Sequence, residues 1–143
     1  MALSIKPYIE NKERIHLIGI GGVSMNSLGE LLLSKGVPVS GSDRLRTDVT
    51  ARLEALGAKI TYEHKPENVE GAALIVRTAA VHDENPEIVR AHELGIPVME
   101  RAEAWGHIMR DYDNVVCLSG THGKTTSTSM MTMMTMEAQM DPT

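Results

Sequence analysis

"RIHLIGIGGVSM" (residues 14–25) is the stretch on which the fold turns. Its first half, Ile15 to Ile18, is a short apolar run of the kind buried on both faces in a parallel sheet. Its second half sets Gly19, Gly21 and Ser24 at the spacing Gly-x-Gly-x-x-Gly. Gly19 permits a tight strand-to-helix turn, and Gly21 lets the backbone approach a diphosphate at the positive end of a helix. Ser24 is small enough for that helix to pack closely on the strand. A helix should follow, with apolar residues at 25, 28, 31, 32 and 33 and a stop at Lys35-Gly36. The next strand, "VPVSG" (37–41), leads to Asp43, a carboxylate able to accept hydrogen bonds from a ribose. Strand, glycines, helix, strand and acid in this order predict a diphosphate-binding turn. The spacing leaves open whether the ligand is NAD or another nucleotide diphosphate.

The same rhythm continues outward. Thr47 caps a helix through Leu56, with Gly57 as its stop, and "AKITY" (58–62) and "AALIVR" (72–77) read as strands. Asn85-Pro86 opens another helix to about Leu94. "IPVM" (96–99) is a strand, residues 101–110 a helix, "VVCLS" (115–119) a strand, and the tail from Lys124 a helix. Short strands alternating with helices predict an α/β fold: a Rossmann-like, doubly wound, mostly parallel sheet. Residues 1–13 are polar, contain Pro7 and read as a lead-in.

A second glycine turn follows "VVCLS". Gly120, Gly123, Lys124 and Thr125 lie between an apolar run and a helix. The amides of residues 121–125 can curl around an anion, Lys124 supplies a point charge for the β- and γ-phosphates of ATP, and the Thr125 hydroxyl can ligate Mg²⁺. Two residues separate the glycines where the general phosphate loop has four. The expected organisation is a lead-in over 1–13, a Rossmann-like domain over 14–113, and the opening strand-loop-helix of a P-loop ATPase domain over 114–143.

Composition limits the function. The net charge of −5 argues against a nucleic-acid binder, which needs a basic face to displace counterions. No apolar run approaches the roughly 18 residues required to span a bilayer, and the N-terminus lacks the apolar core of a signal peptide. Cys117 is the only cysteine, so no internal disulfide forms, which fits a reducing cytoplasm. It sits on an apolar run and reads as a small buried residue. His16, His82, His92 and His107 lack metal-ligand spacing and read as surface or packing residues. The methionines at 130, 131, 133, 134, 136 and 140 read as a core-facing helix surface, and the tail is expected to be either poorly ordered or buried by self-association.

"GTHGKTT" (120–126) resembles the ATP loop of the Mur ligases, the amide-forming enzymes of peptidoglycan precursor synthesis. "HLIGIGGVSM", "VSGSD", "RTAAVHDENPE" and "GIPVMERAE" are similar to the N-terminal domain of the branch that joins L-alanine to UDP-N-acetylmuramic acid, in order from about Ile15 to Thr143. The ligase that reattaches recycled tripeptide to the same sugar nucleotide is the nearest alternative, and an NAD-binding domain of an oxidoreductase or redox sensor is the next. The resemblance implies that UDP-N-acetylmuramic acid, not NAD, occupies the first domain. Gly21, Gly22, Ser24 and Met25 would cradle its diphosphate and Asp43 would hold the uridine end. His64 matches a histidine near the uracil, Thr78 a small hydroxyl residue beside the diphosphate, and Arg101 an arginine on the substrate side. Gly120, Thr121, His122, Gly123, Lys124, Thr125 and Thr126 would form the ATP loop, with Lys124 and Thr125 catalytic and Thr125 on Mg²⁺. Ser24 departs from the family's usual glycine, and "RTAAV" from a more serine-rich run. The resemblance further implies an N-terminal piece that binds the UDP-sugar without turnover, the acidic metal ligand and the L-alanine site lying beyond Thr143.

Overall fold

The period-two pattern of β1 (Ile15–Ile18) sorts the protein into its layers. Ile15 and Leu17 fall in one buried cluster with Met25, Leu28, Leu32, Val39, Leu53 and Ile108. Ile18 falls in a second, with Val69, Ile75, Ile88 and Ala91. A strand whose successive side chains enter different cores must be covered on both faces. The computed structural model describes residues 3–140 and bears this out. β1, β2 (Val39–Ser42), β3 (Lys59–Thr61), β4 (Leu74–Arg77) and β5 (Val98–Glu100) form one sheet in the order β3-β2-β1-β4-β5, every pairing parallel. The order reverses between β1 and β4, the switch point at which such sheets open a ligand crevice.

The first core carries α1 (Lys6–Glu10), α2 (Val23–Ser34), α3 (Asp48–Ala55) and α5 (Arg101–Met109). The second is thinner. Only α4 (Pro86–Glu93) and a 3-10 turn over Pro66–Val69 cover it, because the β3–β4 crossover is too short to build an α-helix. The caps sit where side-chain chemistry puts them: the Thr47 hydroxyl accepts from the Thr50 amide, and the Asn85 side chain from the Glu87 amide. α1 is a helix where an irregular lead-in was expected; five residues are too few to show a helical period, yet they seat Ile5 fully in the core.

Two glycines are set by geometry. Gly19 has φ +77°, the left-handed turn that redirects the chain from β1 into α2. At Gly41, a Cβ would lie 2.7 Å from Ile20 Cδ1 and 2.8 Å from Leu17 O, so only glycine lets the turn lie flat on β2.

The chain divides into two compact units, Met1–Asp111 and Tyr112–Thr143. In the second, residues 114–120 make no strand, a correction to the one expected over 115–119. Val115, Val116 and Cys117 are exposed and no neighbouring strand pairs with them, so the cysteine expected to be buried is at the surface. α6 (Lys124–Glu137) follows, with no buried residue. The first two residues of the expected lead-in and the last three of the tail lie outside the described residues. No helix among the described residues is long and apolar enough to cross a membrane.

Candidate functional site

Each strand of the sheet delivers at least one of the sequence-predicted residues at its C-terminal edge. Gly21, Gly22 and Ser24 follow β1, Asp43 follows β2, His64 follows β3, Thr78 follows β4 and Arg101 follows β5. Parallel strands put all these edges on one side, so the topology collects residues from five separate stretches of the sequence.

The glycine turn is held from beneath. The amides of Gly19 and Ile20 donate to Ser42 O at 2.8 and 3.1 Å, and the Gly22 amide donates to Gly19 O at 3.1 Å. The Gly21 amide donates to Asp43 Oδ2 at 2.8 Å, while Asp43 Oδ1 accepts from the Arg44 amide at 2.7 Å. A Cβ at Gly21 would stand 2.9 Å from Asp43 Oδ2, so this position needs glycine for the carboxylate's sake. The expected diphosphate cradle is therefore redistributed. The Met25 and Asn26 amides are engaged with Gly22 O, and the Met25 side chain is fully buried in the core, so Met25 offers nothing to a ligand. The first-turn amides of Val23 and Ser24 have no carbonyl a turn earlier to bond, and they are the natural anion donors. Asp43 acts first as the fastener of the turn, with lone pairs to spare for a sugar hydroxyl.

Beside the turn lies a buried polar cluster that sequence reasoning missed. Glu87 is completely buried at the start of α4. Its Oε1 takes His16 Nε2 at 3.2 Å and Asn68 Nδ2 at 2.8 Å; its Oε2 takes Ser42 Oγ and His64 Nδ1, both at 2.7 Å. Burial alone would push this carboxyl up, but the hydrogen bonds from His16, Asn68, His64 and Ser42 outweigh it and bring the pKa down to about 2. His16, read from sequence as a surface or packing residue, is 1% exposed and bonded on both nitrogens, Nδ1 to Ser40 Oγ at 2.9 Å. The alternation of β1 carried the signal: His16 stands between Leu17 and Ile15 in sequence but shares the Ile18 face, where an imidazole needs polar company.

On the other side of the switch point, Arg77 fastens the loop that carries Thr78. Its Nη1 donates to Asp83 Oδ1 at 2.5 Å and to Val81 O at 3.3 Å, and its Nε donates to Glu100 Oε1 at 3.0 Å. Thr78 and Arg101 are partly exposed, and neither side chain makes a hydrogen bond among the described residues.

In the second unit, Gly123 at φ +77° turns the chain into α6, and Lys124 Nζ donates to Gly120 O at 2.6 Å across the loop. The loop thus closes on its own lysine, and the first amides of α6 fit a phosphate. Thr125 offers one hydroxyl to a cation. Among the described residues no group of three His, Cys, Asp or Glu is placed to hold a metal ion.

A family model described as "Mur ligase family, catalytic domain" matches residues 14–113. The chain belongs to the Mur ligase family. This Mur ligase chain is 48% identical over 134 residues to the UDP-N-acetylmuramate--L-alanine ligase of Clostridium novyi, a match covering 94% of the chain and 29% of that protein. It is 48% identical over 131 residues to the enzyme of the same name from Acetivibrio thermocellus, covering 92% of the chain and 28% of the relative. The chain therefore spans under a third of the length of these relatives. Among solved structures, the UDP-N-acetylmuramate-alanine ligase of Thermotoga maritima superposes with a TM-score of 0.84 at 34% identity, over 89% of this chain and 30% of that one. A murein peptide ligase from Psychrobacter arcticus superposes with a TM-score of 0.83 at 26% identity, over 89% of this chain and 27% of its own.

Proposed function

We propose that this chain is the UDP-N-acetylmuramic acid-binding portion of a cytoplasmic ligase that joins L-alanine to that sugar nucleotide at the expense of ATP. The observation that carries the reading is the 48% identity to UDP-N-acetylmuramate--L-alanine ligases along 94% of the chain. It coincides with a glycine turn built at a switch point. In this reading the amides of Val23 and Ser24 take the diphosphate, Asp43 holds the turn and the ribose, His64 meets the uracil, and Thr78 and Arg101 reach toward the sugar.

The chemistry asked of the whole ligase is amide formation from a carboxylate, whose oxygen is a poor leaving group. ATP makes it a good one by converting the lactyl carboxylate to an acyl phosphate, which the amine of L-alanine attacks with loss of phosphate. For that step this chain contributes the phosphate loop Gly120–Thr126: Lys124 neutralises charge on the transferring phosphoryl group, and Thr125 supplies one oxygen toward Mg²⁺. In this reading the chain by itself binds the UDP-sugar and forms no ADP.

Calorimetry with UDP-N-acetylmuramic acid, NADH and ATP side by side tests the assignment. The UDP-sugar should bind, NADH should not, and Gly21→Ala should abolish UDP-sugar binding because its methyl group displaces Asp43. Binding of NADH with no heat from the UDP-sugar would overturn the reading, and ADP release dependent on UDP-sugar and L-alanine would overturn its inactive part.

A further inference from the structure

Glu87 is the only acidic side chain completely removed from solvent among the described residues, and the function above gives it no work. A carboxylate offers about four lone-pair positions. Here four donors fill them: His16 Nε2 and Asn68 Nδ2 on Oε1, Ser42 Oγ and His64 Nδ1 on Oε2. Such saturation dictates the proton positions. Ser42 has one hydroxyl hydrogen, and at 2.7 Å it goes to Glu87. The 3.2 Å contact between Ser42 Oγ and His64 Nδ1 can then only have the imidazole as donor, toward the serine and the carboxylate together. Nδ1 of His64 therefore carries its hydrogen, and in the neutral ring Nε2 is bare.

The direction of that bare nitrogen follows from the burial. His64 has its Nδ1 side on a fully buried carboxylate while the side chain as a whole is 21% exposed, so the ring's far side, with Nε2, is the part that meets solvent. No hydrogen bond to Nε2 is made among the described residues. Ser42 links this imidazole to the glycine turn, since its carbonyl accepts both the Gly19 and Ile20 amides while its hydroxyl serves Glu87. One residue at the end of β2 thus holds the diphosphate turn and the histidine in a fixed relation.

We propose that Glu87 is a positioning residue for the base-binding end of the crevice: it pins the Nδ1 hydrogen of His64 inward, so that Nε2 presents a fixed acceptor suited to a heterocyclic N–H, as at N3 of uracil, and unsuited to the N3 lone pair of cytosine. The proposal rests on the reading of the crevice as a uridine-nucleotide site, and it assigns pyrimidine selectivity to a carboxylate that never touches the ligand. Specificity of this kind comes from leaving two acceptors opposed in the wrong complex.

Long-range proton–nitrogen NMR on the labelled chain, with UDP and CDP as probes, tests it at neutral pH. The expected wild-type pattern for His64 is hydrogen on Nδ1, with UDP bound more tightly than CDP. Glu87→Gln places an amide where a pure acceptor stood; it should mix the His64 tautomers and weaken UDP by about tenfold, the worth of one lost hydrogen bond, while CDP changes little. Glu87→Asp keeps the charge one methylene further back and should fall between the two, and it serves if the glutamine variant does not fold. A purely structural role would lower UDP and CDP together and leave the tautomer alone. That result overturns the proposal, as does hydrogen on Nε2 in the wild type. Hydrogen on Nδ1 with neither nucleotide bound would instead overturn the uridine-site reading and with it the ligand half of the proposal, leaving only the tautomer assignment.

Discussion

At the scale of single residues, Glu87 is a buried carboxylate with four hydrogen-bond donors around it. A buried carboxylate is costly unless fully hydrogen-bonded, and once it is, removing a partner costs far more than the pair is worth. Its folded pKa of about 2 lies below the ordinary 4.5, so the charged form favours the folded state. The sign follows directly: its contribution is whole above pH 4.5 and drains away as the pH falls toward 2. A shift of that size corresponds to on the order of 3 kcal/mol. Urea denaturation of the wild type and Glu87→Gln as a function of pH should show a stability gap of that order near neutrality, closing between about 4.5 and 2. A gap that stays constant across that window would mean the carboxylate's charge is not what stabilises the fold. The exposed pairs, such as Arg90 with Glu93 at 3.0 Å, are screened and should contribute little to this curve. The cluster as a whole was not legible in the sequence, although His64 was singled out and the alternation of β1 hinted at His16. His16, Ser42, His64, Asn68 and Glu87 come from β1, β2, the crossover and α4, and no local pattern announces that a parallel sheet brings them to one point. The glycine turn was legible because its constraints are local: a left-handed φ at Gly19 and a close approach at Gly21 lie within three residues of each other.

At the scale of elements, the same division between local and remote decides what could be read. The helices capped by Thr47 and Asn85 were visible because the cap is the adjacent residue, and their starts agree with the structure. The 3-10 turn over Pro66–Val69 and the short α1 lacked any period and went unseen. The run 115–119 looked like a strand because its apolar residues are β-formers, but a parallel strand is made by its neighbours and none is paired with it. One contact between elements makes a testable probe. Trp105, the only tryptophan, is partly buried on α5 and donates from Nε1 to Ser24 O at 3.3 Å, in the first turn of α2. That bond reaches the back of the turn whose front is the candidate diphosphate site. Saturating UDP-N-acetylmuramic acid should therefore shift or quench Trp105 emission. Trp105→Phe should lose about 1 kcal/mol of stability, the usual net value of such a bond, and weaken the UDP-sugar several-fold. An unchanged emission spectrum under conditions where calorimetry records full binding would show that α5 does not sense the turn.

At the scale of the whole molecule, the two units differ in what supports them. The unit Met1–Asp111 has two cores and a sheet covered on both faces, whereas α6 buries none of its residues. A helix of 14 residues is marginal in water unless something packs on it. Its composition makes matters worse: threonines at 125, 126, 128, 132 and 135 are weak helix formers, and Thr128 and Thr132 turn their hydroxyls onto carbonyls four residues back at 2.8 and 2.9 Å. Against this stand four large apolar side chains in the open, Met130, Met133, Met134 and Met136, each at least 60% exposed. Covering such a face would stabilise the helix, and a second α6 offers an apolar face of the same kind to test as the cover. The helix and the self-association should then rise together: sedimentation mass and far-ultraviolet helix signal should both increase over an about hundredfold range of protein concentration. Replacing Met133, Met134 and Met136 by glutamine keeps helix propensity while removing apolar area, and should flatten both curves without altering the UDP-sugar affinity of the first unit. A chain that sediments as a monomer throughout, with amide protons slow to exchange along residues 124–137, would show that α6 is held by contacts within its own molecule.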